Sequence, residues 1–357
     1  MKIIKLAAYC WLGGYCLYIP TSQSEMITIG KGTGVVWEGM PFSERISSSI
    51  TTPNITEGHG LVGINATQYI CMPNTRLTSI AGIDALPITA GVGLVPRATA
   101  SGLYQVQAEH NNELFTATIG LPTTEGTFKG VHSTANSITP WCLSPRTGNV
   151  SNFYRDPGNV SYNITGTWVI VADGNQQNAE IIIPALFAGH YQPNSLFKQI
   201  FPSYITLRVS TLECTVDTVT AINFGSVSSN TQQNSELATV TAPLNITCGQ
   251  PTDQIDANIN VQFRAISGLY NNTPTQLSLD QGGGYITGEI NNVTGSGDCG
   301  LTSGITFDNQ QIKLGNITTA DSTKVLNNNV TWRLCSGGSN LPVGDVTAST
   351  EMLVTFN

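Results

Sequence analysis

The sequence predicts an all-β protein built from two β-sandwich domains. Three observations carry that expectation. The last fourteen residues, Gly344-Asp-Val-Thr-Ala-Ser-Thr-Glu-Met-Leu-Val-Thr-Phe356-Asn357, place Met352, Val354 and Phe356 on one face and Leu353 and Thr355 on the other, which is strand period. Charged residues make up 11% of the chain, against roughly 25% in ordinary globular domains; Gly, Thr, Asn and Ser take their place. No long run at helical spacing is free of β-branched residues or Gly. At 357 residues the chain exceeds what one small core organises, hence two domains.

The first 24 residues read as a secretory signal. Lys2 and Lys5 precede an apolar run over 6–19, and small residues follow at Thr21-Ser22-Gln23-Ser24. Cleavage is expected after Ser24. The run is shorter than the ~20 residues that span a bilayer.

Six cysteines remain after the signal: Cys71, Cys142, Cys214, Cys248, Cys299 and Cys335. None forms a CxxC, which argues against zinc and thioredoxin chemistry. An even count in an exported chain points to disulfides. Pairing sequence neighbours gives Cys71–Cys142, Cys214–Cys248 and Cys299–Cys335, one bridge in the first domain and two in the second.

Residues 25–210 carry 9 Lys and Arg against 11 Asp and Glu, whereas residues 211–357 carry 4 against 12. The acidic second part argues against nucleic acid and suits a basic protein partner, although plain solubility explains the charge at least as well.

Strands are expected over 26–29, 35–37, 68–72, 103–106, 114–119 and 167–171. Residues 166–172, the Asp173-Gly174 turn and residues 179–183 read as a hairpin. A Pro- and aromatic-rich stretch over 184–203 leads to an alternating segment at 204–209 and a domain boundary near 210. Beyond it, short strands are expected at Cys214, 222–227, 244–248, 259–263, 305–307 and 330–334, with polar turns between them. That pattern suits a sandwich.

Several of these residues together resemble a known family. Cys214 with Cys248, Asn223-Phe-Gly225 between them, Leu341-Pro-Val-Gly344, and the terminal strand with penultimate Phe356 are similar to a pilin domain of bacterial chaperone–usher fimbriae. The resemblance implies an incomplete immunoglobulin-like fold over 211–357, lacking its last strand and completed by a donor strand. Phe224, Gly344, Met352, Val354 and Phe356 would then serve the groove and terminal strand. With 25–210 in front, the whole chain resembles a two-domain tip adhesin. The implied partners are a periplasmic chaperone, an outer-membrane usher, an adjacent subunit that donates a strand, and a host glycan or glycoprotein receptor. The implied location is the bacterial surface, at the fimbrial tip.

The family's N-terminal domain is a lectin-like sandwich, so glycan binding is expected there. A sugar site needs an aromatic face plus amides or carboxylates for hydroxyls. The densest such stretch runs over 140–157, with Trp141 and Tyr154 as aromatics and Asn152 and Asp156 as hydroxyl partners. Arg146 and Arg155 suit an anionic sugar or sulfate. Trp141 has an alternative role packing on the disulfide at Cys142. A second candidate is the polar loop Glu109-His-Asn-Asn112, which also reads as an ordinary hairpin turn. The Gly-rich runs at 30–34 and 282–284 lack a GK[ST] ending. Neither HExxH nor GxSxG occurs, and no paired carboxylates suggest glycoside hydrolysis. No enzyme, cofactor or metal is expected. The alternatives are a non-adhesive capping or spore-coat-like subunit and a secreted carbohydrate enzyme.

Overall fold

The structure is a computed structural model that describes residues 26–50, 60–105, 112–128, 130–143, 158–191 and 196–357. Within them the chain is all-β, and its helical pieces are the 3-10 turns Asn74–Arg76 and Tyr270–Asn272. The signal expected over 1–24 lies outside the described residues.

Two sheets build the N-terminal half. The larger has strand order Thr33–Ile50, Gly158–Asp173, Val92–Gln105, Asn112–Gly120, Glu125–Phe128, Val131–Thr134, with Ile83–Thr89 and Thr78–Ile80 attached beside Val92–Gln105. The smaller has order Cys142–Leu143, Gly60–Asn65, Leu186–Tyr191, Phe197–Phe201. Strand Thr33–Ile50 shows the two-face pattern: Ser43, Arg45, Ser47 and Ser49 are exposed, while Ile46, Ser48 and Ile50 are buried. Strand Gly158–Asp173 turns into a continuous buried run from Trp168 to Ala172, as a strand covered on both faces must. Trp168 sits between Phe42 and Phe201, with centroids 5.6 and 5.2 Å away. Its buried indole N–H donates to the Ile200 carbonyl at 3.1 Å, which removes the cost of an unmade bond.

The C-terminal half has a five-stranded sheet in the order Glu213–Thr218, Glu236–Gly249, Thr323–Ser336, Gly284–Ile290, Leu277–Ser278. The opposing sheet is shared between the halves. Its order is Ala179–Ile182, Thr206–Val209, Met26–Ile29, Thr350–Phe356, Ala257–Ala265, Ile312–Ile317. Met26–Ile29 runs parallel to Thr206–Val209 and meets the closing strand at Thr28 opposite Phe356.

One hydrophobic cluster takes its residues from Ile27 to Val209. Two others lie between Leu212 and Phe356: one around Phe263, Phe307 and Val330, the other around Leu212, Ile246, Cys248 and Phe356. All three expected disulfides are present: Cys71–Cys142, Cys214–Cys248 and Cys299–Cys335.

The structure corrects four local expectations. The 166–172 and 179–183 segments do not form a hairpin; Gly158–Asp173 pairs with Thr33–Ile50 and Val92–Gln105, and Ala179–Ile182 pairs with Thr206–Val209. Buried Gln176 carries the chain from one sheet to the other, donating to the carbonyls of Gly30 at 3.3 Å and Gly32 at 3.1 Å. Residues 68–72 form no strand, because the Asn65 side-chain amide takes the Ile70 carbonyl at 2.6 Å and Tyr69 has φ of 86°. Ile305 and Phe307 are buried but residues 305–307 lie outside the strands; the Ile305 and Phe307 N–H groups donate to the Gly288 and Pro274 carbonyls. Residues 222–227 form no strand either, for the reason described next.

Candidate functional site: an open groove in the C-terminal half

Strand Glu213–Thr218 pairs with Glu236–Gly249 only as far as Thr218 opposite Leu244. The next residue on the partner strand is Pro243. The Thr218 hydroxyl donates to the Pro243 carbonyl at 2.8 Å, so Pro243 turns its ring nitrogen toward the same edge. That nitrogen has no hydrogen to give, and the ladder ends there. From residue 219 onward the chain leaves the sheet, and residues 219–224 are exposed or half-buried.

The facing wall is the closing strand. Thr350–Phe356 is fully paired along one edge with Ala257–Ala265. On its other edge, among the described residues, only Phe356 has a partner in a ladder, Thr28. Residues 346–349, which lead into this strand, belong to no ladder.

Between the two walls lies a groove of about 650 Å³. Val219, Ala221, Ile222 and Phe224 line one side, and Val346, Ala348, Thr350 and Met352 line the other. The floor is the hydrophobic core itself, including Phe263, Leu279, Ile286, Trp332 and Leu334. Phe263 stands edge-on to Trp332, with centroids 6.0 Å apart. A sandwich core open along one side is an unusual arrangement, because apolar area left in water forgoes roughly 25 cal/mol per Å². The unpaired edges add unsatisfied backbone donors and acceptors. Both deficits are met by one kind of occupant, an extended chain whose backbone pairs with the edges and whose alternate side chains enter the core. The wall from Val219 to Phe224 is six residues of chain, so an extended segment of about six residues at about 3.3 Å each matches it.

Of the predicted assembly residues, Phe224 and Met352 line the groove. Val354 and Phe356 pack in the cluster around Leu212 and Cys248, beyond its end. Gly344 lies in the loop ahead of the closing strand with φ of 103°, a conformation that L side chains rarely adopt. Trp332, Val346 and Ala348 escaped the sequence reading. The alternation of Val346, Ala348, Thr350 and Met352 is the signal that exposes the groove wall.

The opposite face of the closing strand meets the N-terminal half. Glu351 lies beside Arg264, whose Nε donates to it at 2.9 Å. Arg97 reaches Glu351 at 3.6 Å and Glu38 at 3.4 Å. Glu38 is buried and accepts from the Thr167 hydroxyl at 2.6 Å. Gln262 donates to the Glu38 backbone carbonyl at 3.1 Å. Burial lowers the Arg97 guanidinium below its ordinary pKa, and the charge of Glu38 opposes that shift. One strand therefore lines the groove on one face and carries an ion-pair chain to the other half on its back.

The predicted receptor stretch is placed only in part. Trp141 is 2% exposed and belongs to the N-terminal core, so in this structure it presents no open ring face. Its carbonyl accepts from the Ile64 N–H at 3.1 Å, next to the buried Cys71–Cys142 bridge. Arg146, Asn152, Tyr154, Arg155 and Asp156 lie outside the described residues, as do residues 109–111 of the second candidate loop. Among the described residues no three His, Cys, Asp or Glu side chains gather as a metal site. No helix among them is long and apolar enough to cross a membrane.

No family model matches the chain, and no curated protein matches it. Three solved structures are similar to it. The CupB6 tip adhesin from Pseudomonas aeruginosa is 14% identical, covering 91% of this chain and 88% of its own, with a TM-score of 0.28. A chain from a chaperone–tip adhesin complex of CFA/I fimbriae is 8% identical, with 95% and 98% covered and a TM-score of 0.25. A chain from the CsuC–CsuE chaperone–tip subunit complex of the archaic chaperone–usher Csu pili of Acinetobacter baumannii is 10% identical, with 94% and 99% covered and a TM-score of 0.25. These neighbours are fimbrial tip adhesins. The superpositions are too loose to carry any residue's role across.

Proposed function

We propose that this chain is a tip subunit of a chaperone–usher fimbria, completed through its C-terminal half by a strand from another protein. The single observation that carries the reading is the apolar groove with an unpaired backbone edge on each side. A periplasmic chaperone occupies it first, and the adjacent fimbrial subunit replaces the chaperone at the usher. In this reading residues 211–357 form the pilin domain and residues 25–210 form the receptor-binding domain. In this reading the shared sheet is the joint between the two domains. The receptor is a host glycan or glycoprotein, and the protein resides at the bacterial surface.

Two measurements test this. The full chain is mixed with a synthetic peptide of alternating apolar residues, and its melting temperature is followed. A ligand at a hundred times its Kd stabilises by about 2.7 kcal/mol, so a rise of several degrees is expected. Ala348→Trp, which fills the groove, removes the rise. An unchanged melting temperature in the native chain sinks the strand-acceptor reading. The chain is then probed on a broad glycan and glycoprotein array. A chain that accepts the strand but binds no receptor is a non-adhesive cap.

A further inference from the structure

Phe224, one of the residues that line the apolar groove, also borders a second cavity. That cavity has a volume of about 630 Å³. The chemistry changes at Phe224. Beyond Phe224 the lining is the mainly polar stretch 226–231, with Val227 its one apolar member, on one side and Glu236, Leu237 and Ala238 of strand Glu236–Gly249 on the other. The junction is shaped by Gly225, whose φ is 70° and whose N–H donates to the Asn223 side chain at 2.8 Å.

Glu236 sits on the wall of this cleft and holds Arg333 at 3.1 Å. Arg333 also serves Glu289 at 3.0 Å and Asp298 at 3.3 Å. Three carboxylates share one guanidinium, so the cluster keeps a surplus of negative charge, and Glu236 is its member on the cleft.

We propose that the strand filling the groove continues past Phe224 as a short polar segment bearing a lysine or arginine against Glu236. This rests on the strand-acceptor reading above. Phe224 is common to groove and cleft, so an extended chain that leaves the groove at this residue has the cleft beside it. An apolar continuation would bury serine and threonine hydroxyls without partners, which is unfavourable. A polar one supplies donors and acceptors, and its cation offsets the charge surplus. Charge complementarity of this kind speeds encounter and selects the register. The apolar part thus supplies most of the affinity, and the polar part fixes how far the strand slides.

The experiment uses the full chain and fluorescent peptides. One peptide holds six alternating apolar residues. Two others add Ser-Lys-Asn-Ser at the N- or C-terminal end, and a second pair has Gln in place of that Lys. One lysine peptide is expected to bind about tenfold tighter than the short one, the equivalent of about 1.4 kcal/mol. Its association slows as salt rises. Glu236→Gln reduces the gain, Ala238→Trp abolishes it by filling the cleft, and short-peptide binding is unchanged in both. Binding of the short peptide with no gain from either extension overturns the proposal. So does a gain that survives both substitutions and the Lys-to-Gln exchange. Failure of the short peptide itself to bind overturns the groove reading instead, and this proposal falls with it.

Discussion

Arg97 and Glu351 stand 3.6 Å apart although they belong to different halves of the chain. Their neighbours make the pair unequal. The Glu38 side chain is only 3% exposed and takes its charge partner from Arg97, whereas Glu351 is 40% exposed and is also held by Arg264. Arg97→Met therefore leaves a carboxylate buried without its cation, at a cost of about 3 kcal/mol. Glu351→Gln removes a partly solvated charge and costs less than about 1 kcal/mol. Urea unfolding of the two variants checks the inequality. Equal losses would mean that Glu38 does not depend on Arg97.

Gly30 and Gly344 are both needed, for different physical reasons. A Cβ on Gly30 collides with the Leu212 carbonyl and presses on the Phe356 ring. Gly30→Ala thus disturbs the point where the first strand meets the last, and the expected loss is above about 2 kcal/mol. A Cβ on Gly344 has open space around it, and only its φ of 103° resists substitution. Gly344→Ala is expected to cost about 1–2 kcal/mol. Thermal unfolding of the two variants should show the larger drop for Gly30→Ala.

Trp141→Ala is expected to destabilise the N-terminal half by about 3 kcal/mol or more, because it empties a buried indole site. Loss of receptor binding in that variant would then report unfolding, not a missing stacking surface. Arg155→Ala is the cleaner probe of the 140–157 segment. Circular dichroism melting beside the binding measurement separates the two. A Trp141→Ala protein with unchanged melting temperature would return the indole to the list of ligand contacts.

How far the structure was legible beforehand depended on whether its cause was local. The closing strand, the buried run 168–172 and the disulfides follow from alternation, apolar content and cysteine spacing. The groove floor at Trp332 and the Arg97–Glu351 contact do not, because each joins residues far apart in sequence. The error at 222–227 has the same origin. Ile222 and Phe224 look like strand residues, yet Pro243 on the neighbouring strand denies that edge its next backbone donor. The hairpin expected at 166–183 failed because Gln176, a polar residue in a turn, is buried and holds the chain across to a different sheet.

The cluster around Arg333 predicts a pH effect in the C-terminal half. Glu289 accepts from the Gly297 N–H at 2.8 Å and from the Arg333 guanidinium at 3.0 Å. The first of these, with the arginine's help, holds the carboxyl below its ordinary pKa, while burial acts in the opposite direction. A depressed folded pKa means that the ionised form is the one the fold stabilises. The contribution is complete above the ordinary carboxylate range and is lost as pH falls through the folded value. Solvent around the cluster keeps it below about 1 kcal/mol. Unfolding measured from neutral pH down through the carboxylate range should show wild type losing stability more steeply than Glu289→Gln. Glu236→Gln serves as the control, since it leaves the Gly297 bond in place and should keep most of the slope. Parallel curves for wild type and Glu289→Gln would remove Glu289 as a source of the acid sensitivity.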